Sequence, residues 1–216
     1  MAEELVEKER LERELELARE IQRNLLPAAL NEGFPIIGVN IPALEMTGDF
    51  FDFLPLPDGR IYFNLADVSG KGMNAALLMA KTSSLLRCLA KNIYDAGELL
   101  QAVNDEVCET ATRGMFVTIA SGFVDPCTGG VTLANAGHQP ALLHRSTGEF
   151  VQHPAGGPPL GIVPGAEFPA VEFTLDGGSL YLFSDGVTES LKEDGEQLEV
   201  EGLMHLIRCG SELTAA

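Results

Sequence analysis

After Pro27 the chain alternates short apolar runs with turns rich in Gly, Pro and Asp. The runs carry the two-residue period and the β-branched and aromatic content of strands. Strands are predicted at "GRIYFNLADV", "MFVTIASGFVD", "GGVTLANAG", "ALLHR", "EFVQH", "AVEFTL" and "SLYLFSD". "PDGR" at 57–60, "DPCTGG" at 125–130, "STGE" at 146–149 and "DGG" at 176–178 have the chemistry of hairpin turns. Two stretches switch to a helical period: about 73–91, "MNAALLMAKTSSLLRCLAK", and about 96–111, "AGELLQAVNDEVCETA". They are consecutive and predict an antiparallel pair. Strands, then a helical pair, then a long run of strands argue for an α+β fold with mainly antiparallel sheets, not an alternating parallel α/β fold.

Residues 2–26 are of another kind. They are rich in Glu, Leu, Arg and Ala, with no Gly or Pro before Pro27. Leu11, Leu15, Ala18, Gln22 and Leu25 step by four, three, four and three, a heptad seam that Leu17 and Ile21 widen. The pattern predicts a helical linker over 1–27, ahead of a domain over 28–216. Such a helix either packs on its own domain or pairs two chains as a short parallel coiled coil, giving a homodimer. Gln22 weakens the seam.

At 216 residues and 45% hydrophobic content, the chain is long enough for one domain with a well-buried core. A net charge of −18 argues against nucleic acid and anionic membrane as partners, and suits divalent cations or a basic partner. Cys88, Cys108, Cys127 and Cys209 are scattered without CxxC spacing, so reduced and mostly buried thiols are expected. The first 22 residues lack the apolar core of a signal peptide, and no apolar run approaches the ~20 residues that span a bilayer. A cytoplasmic location is expected.

Three acids share one setting. Asp49 lies in "TGDFFDF", Asp67 in "LADVSGKG" and Asp185 in "LYLFSDGVTE". A carboxylate at the end of a buried strand is costly unless it is paired or bound to metal. Any one of them reads equally as a cap or turn residue. Three in one chain, each beside Gly and none near a Cys or His, point to a hard cation such as magnesium, manganese or calcium rather than zinc. "DVSGKGMNAA" is not a Walker loop, because Gly72 follows Lys71 and the upstream Gly is missing. A helix N-terminus there still suits a phosphate oxygen. His138, in "NAGHQP", is a candidate for direct catalysis, set against the commoner structural role of a lone His after a strand. With no Gly-x-Ser-x-Gly and no Cys–His arrangement, serine or cysteine nucleophiles are not expected.

"GDFFDF", "ADVSGKGMNAALLMA", "FVT", "NAGHQPALL", "PLG" and "LFSDGVTE" occur in this order. Together they resemble the metal-dependent serine/threonine protein phosphatases of the PPM (type 2C) superfamily, in the bacterial branch typified by SpoIIE and RsbU. The resemblance covers about 20–205. It implies an αββα sandwich of two mainly antiparallel sheets flanked by helix pairs, with Mn2+ or Mg2+ in a two-metal centre at one edge. Asp49 would bridge the metals. Asp67 and the backbone carbonyl of Val68 would hold one, and Asp185 the other. Asp52 would stand behind the ligands, since "GDFFD" on a strand cannot easily aim both carboxylates at one ion. The chemistry implied is in-line attack of an activated water on a phosphoserine or phosphothreonine, in this branch on a phosphorylated anti-sigma-factor antagonist of the STAS type. Thr47 stands where the branch usually has Gly. The chain ends at "LIRCGSELTAA" without the branch's Asp-Asp-x-Thr-like segment, which supplies a further ligand and a closing strand. Two other readings stand beside the phosphatase: a phosphatase-like interaction module without turnover, and a magnesium phosphohydrolase acting on nucleotides.

Overall fold

A computed structural model describes residues 34–40, 48–70, 72–110, 114–192 and 195–214, together with Arg13 and Pro27. The predicted linker helix, its heptad seam and its pairing lie outside the described residues except for those two positions, as do Thr47 and Lys71.

Among the described residues, eight strands form two antiparallel sheets. The larger contains β1 (Phe50–Pro55), β2 (Ile61–Val68), β3 (Val117–Val124), β4 (Gly130–Ala136) and β7 (Ala170–Thr174), in the order β1-β2-β3-β4-β7. The smaller contains β5 (Ala141–His144), β6 (Phe150–His153) and β8 (Ser179–Tyr181), in the order β6-β5-β8. Three of the four turns read as hairpins join paired strands, β1–β2, β3–β4 and β5–β6, whereas 176–178 carries the chain from β7 in the larger sheet to β8 in the smaller, because β7 pairs with β4 and β8 with β5. The helices are α1 (Met73–Leu89), α2 (Ala96–Thr110), the single turn α3 (Asp185–Thr188) and α4 (Glu199–Thr214).

Strand alternation divides the larger sheet into two faces. On β2, Tyr62, Ala66 and Val68 pack with Ala75, Met79 and Leu86 of α1 and with Leu99, Leu100 and Val103 of α2. Ile61 and Phe63 point the other way, into a second cluster with Phe53, Val131, Leu133 and the strand-end residues Leu180 and Leu182. One core therefore lies under the helix pair and the other between the sheets. The side chains that α1 buries (Ala75, Ala76, Met79, Thr82, Ser83 and Leu86) recur at the three- and four-residue steps of one helical face.

The cysteines correct one expectation. All four are free thiols, but Cys88, Cys127 and Cys209 are exposed and Cys108 is partly so. Cys127 sits in the 125–130 turn, and Cys88 lies on the face of α1 turned away from the sheet, so their scatter reflects surface positions rather than core filling.

Candidate metal centre

The site is built by strand register. Phe50 on β1 stands opposite Ala66 on β2, so one residue further along Asp49 falls opposite Asp67. By alternation both lie on the side of Phe51, Phe53 and Phe63, facing the gap between the sheets. The two carboxyl groups lie close enough to act on each other directly, an arrangement that a shared proton or a cation relieves. Burial first, then Asp49, then the charge of Asp185 push the Asp67 carboxyl up to about 7 from its ordinary 3.8.

Asp185 reaches the site from the smaller sheet. β8 runs out at Tyr181, Phe183 is buried, and Asp185 opens α3. Ser184 occupies the N-cap position of α3 without making a side-chain cap. Its hydroxyl instead donates to Asp49 Oδ2 at 2.8 Å, joining the two sheets at the site. Asp49 and Asp67 are half-buried and Asp185 is exposed, so the site sits at a rim open to solvent. Asp49 and Asp67 touch, whereas Asp185 acts on Asp67 only through its charge. Among the described residues no three His, Cys, Asp or Glu side chains close around one point.

The loop after β2 is held in place. Ser69 N donates to Phe116 O at 2.9 Å, and Phe116 N donates to Ser69 Oγ at 2.8 Å. Gly70 and Gly72 have φ of 94° and 76°, a region that favours glycine, which explains the glycine-rich turn into α1. Gly48 is required for a different reason. A Cβ there would lie 2.7 Å from the Val68 carbonyl oxygen and 3.4 Å from Asp67 Oδ1. That space is bounded by oxygens and closed to any side chain.

Asp52 takes no part in this cluster. Three residues beyond Asp49, it points to the opposite face, is 2% exposed, and receives Arg87 Nη1 of α1 on both oxygens at 2.5 and 2.6 Å. Phe53 N also donates to it, at 2.8 Å. Burial, only partly offset by Arg87, still raises its pKa. His138 is 7% exposed, with Nδ1 2.9 Å from Thr118 Oγ1. Burial lowers its pKa to about 4 against the opposing pull of Asp49 and Asp185, so the ring is neutral at neutral pH. Sequence reasoning did not single out Gly48, Ser184 or Thr118. The "GD" and "SD" dipeptides held a hint of the first two; Thr118 stood in the "FVT" motif without a role, and its place beside Asp67 emerges from the β2–β3 register.

The family model for Stage II sporulation protein E (SpoIIE) matches residues 57–216. The chain belongs to the SpoIIE family. Relatives of this SpoIIE domain include Protein IcfG of Synechocystis sp., 30% identical over 90% of this chain and 35% of that protein. Phosphoserine phosphatase RsbU of Bacillus subtilis is 29% identical over 92% of this chain and 61% of that protein. The chain thus spans roughly one to two thirds of the curated relatives it matches. Among solved structures, the SiaA-PP2C domain of Pseudomonas aeruginosa superposes with a TM-score of 0.76 at 18% identity, covering 93% of this chain and 82% of that one. The two-sheet α+β architecture is therefore that of a PP2C domain.

The residues present fit a hard divalent cation. The donors are carboxylate and carbonyl oxygens, the charges bearing on Asp67 are all negative, and Gly48 keeps a cradle open beside Val68 O and Asp67 Oδ1.

Proposed function

We propose that this SpoIIE domain is a metal-dependent phosphoserine/phosphothreonine protein phosphatase. The observation that carries the reading is the juxtaposition of Asp49 and Asp67 by the β1–β2 register, with Ser184 from the other sheet donating to Asp49 and the charge of Asp185 bearing on Asp67. Negative groups crowded at a strand end are a poor structural device, and a sound one for gathering cations.

Asp49, Asp67 and the Val68 carbonyl would hold Mn2+ or Mg2+, with Asp185 as the remaining acidic ligand. A cation bound there supplies Lewis-acid charge and lowers the pKa of a water. The chain's own residues do the rest. Asp67 would hold the cation as the carboxylate, and the crowding of Asp49 and Asp185 that disfavours that form without metal would be relieved by it. Ser184 orients Asp49 by donating to Oδ2. The N-terminus of α1, whose first N–H groups have no side-chain cap, offers donors to a phosphate oxygen. His138 stays neutral and adds no positive charge to compete with a cation.

The open rim suits a phosphorylated side chain presented on a protein surface. The name of RsbU, a phosphoserine phosphatase, supports that substrate class. The finer reading is a phosphorylated anti-sigma-factor antagonist of the STAS type. The test is phosphate release from such a phosphoprotein and from a phosphoserine peptide, with Mn2+ and with EDTA, using nucleotides as controls. Release is expected with Mn2+ alone, and Asp67→Asn is expected to reduce it by more than about 100-fold. Undiminished turnover by that variant would sink the reading, and preference for nucleotides would replace the substrate class.

A further inference from the structure

We propose that His138 is a positioning residue, a clasp between the sheet that carries Asp67 and the segment that carries Asp185. The proposal rests on reading Asp49, Asp67 and Asp185 as one cation site.

The backbone leaves the imidazole little choice of direction. β4 ends at Ala136, and Gly137 turns the chain at φ 67° with Pro159 so close that a Cβ would lie 2.6 Å from its Cγ. Asn135 then clamps the turn from both sides. Its Oδ1 accepts from His138 N at 2.9 Å, and its Nδ2 donates to Gln139 O at 3.0 Å. The ring is thereby held against Thr118, the residue opposite Asp67 in the β2–β3 register.

The hydroxyl of Thr118 has two acceptors within reach. The Asp67 carbonyl lies at 3.5 Å and His138 Nδ1 at 2.9 Å. The shorter contact is the better hydrogen bond, so Thr118 donates to Nδ1 and the ring proton sits on Nε2. The Phe183 backbone lies close to the ring on its other side. The next residue, Ser184, donates to Asp49, which lies beside Asp67. Two hydrogen bonds thus flank the carboxylate cluster, Thr118–His138 on the side of Asp67 and Ser184–Asp49 on the other, with Phe183 next to the ring between them.

The ring is satisfied on one side only: Nε2 is buried and has no hydrogen-bond partner. Asp185, two residues beyond Phe183, is likewise not yet in contact with Asp67. Drawing the 183–185 segment inward satisfies both at once. His138 therefore sets how far Asp185 stands from its partners. It is not a proton donor to the leaving group, because both ring nitrogens face protein atoms.

Two near-isosteres separate the nitrogens. His138→Asn can keep an acceptor for Thr118 but loses the Nε2 position, whereas His138→Gln keeps a donor at that reach. The measurements are hydrogen exchange of peptides covering 182–189 in EDTA and Mn2+ affinity by calorimetry. In His138→Asn, exchange over 182–189 is expected to rise several-fold while the rest of the sheets is unchanged. Its Mn2+ dissociation constant is expected to rise about tenfold, and His138→Gln is expected to recover part of both effects. Uniformly faster exchange throughout the sheets in both variants would reduce His138 to core packing and overturn the proposal. Equal Mn2+ affinity and equal exchange in all three proteins would overturn the clasp and leave the cation site standing. If the wild type binds no Mn2+ but exchange still separates the variants, the clasp stands and the cation reading falls.

Discussion

Replacing Asp67 with Asn should make the metal-free protein more stable at pH 8 while destroying its response to metal. The folded carboxyl is raised to about 7 from 3.8. Between those values the folded state binds more protons than the unfolded one, so Asp67 subtracts stability as pH rises through that window. At about 1.36 kcal/mol per unit, the full cost of ionisation is roughly 4 kcal/mol. Asp67 is only half-buried, and solvent screening cuts this to about 1–2 kcal/mol. Asn keeps a donor for Asp49 and removes the charge. In EDTA at pH 8 its melting temperature should therefore exceed that of the wild type by about 3–6 °C. As pH falls toward 3.8 and below, the carboxyl becomes protonated in both states and the gain should vanish. His138 works in the opposite sense. Its folded pKa is lowered to about 4 from 6.5, so its burial contributes fully above 6.5 and is lost as pH falls toward 4, by up to about 3 kcal/mol. In the wild type the two slopes oppose each other between pH 6.5 and 4; in Asp67→Asn the His138 slope stands alone, so the variant should lose stability in acid more steeply. Scanning calorimetry from pH 4 to 8, with EDTA and with Mn2+, reads all of this. A variant that is less stable than wild type by the same amount at pH 5 and pH 8 would refute the idea of carboxylate repulsion, and a variant that Mn2+ still stabilises would remove Asp67 from the ligands.

Arg87→Ala should cost about 2–3 kcal/mol in urea unfolding at pH 7, because it leaves the buried Asp52 carboxylate without its cation. Since the Asp52 pKa is already raised, part of that loss should return as pH falls and the carboxyl protonates, and Asp52→Asn in the same background should restore it at neutral pH. No recovery under either condition would mean that the aliphatic stem of Arg87 matters more than its charge. Gly48→Ala puts a methyl 2.7 Å from the Val68 carbonyl oxygen, so calorimetry should register Mn2+ affinity lower by about tenfold; unchanged affinity would exclude that carbonyl as a donor.

Much of the fold was legible because its signals are local. "PDGR", "DPCTGG", "STGE" and "DGG" state turn geometry in their own residues, and the apolar steps of α1 and α2 state a helix against a sheet. β8 was read too long, as "SLYLFSD", yet it pairs only over Ser179–Tyr181. Its apolar content comes from Leu182 packing between the sheets and Phe183 being buried, neither of which needs a ladder. Burial was visible in the composition, but pairing was not.

The site divides in the same way. That Asp49 and Asp52 cannot serve one ion follows from alternation alone, and the structure sends them to opposite faces, one toward the carboxylates and the other to Arg87. Arg87 could not be found from sequence, because its meeting with Asp52 depends on where the far end of α1 crosses β1, 35 residues later in the chain. The convergence of Asp49 and Asp67 was also out of reach. A one-residue slip between β1 and β2 would place Asp67 opposite a different residue and turn its side chain to the other face, under the helices. The observed register rests on side chains remote from the acids: Phe53 and Phe63 buried between the sheets, and Tyr62 and Ala66 buried under α1 and α2. The hydrophobic pattern of two strands thus performs the first step of site assembly, and the glycines at 48, 70 and 72 keep room for what the acids gather.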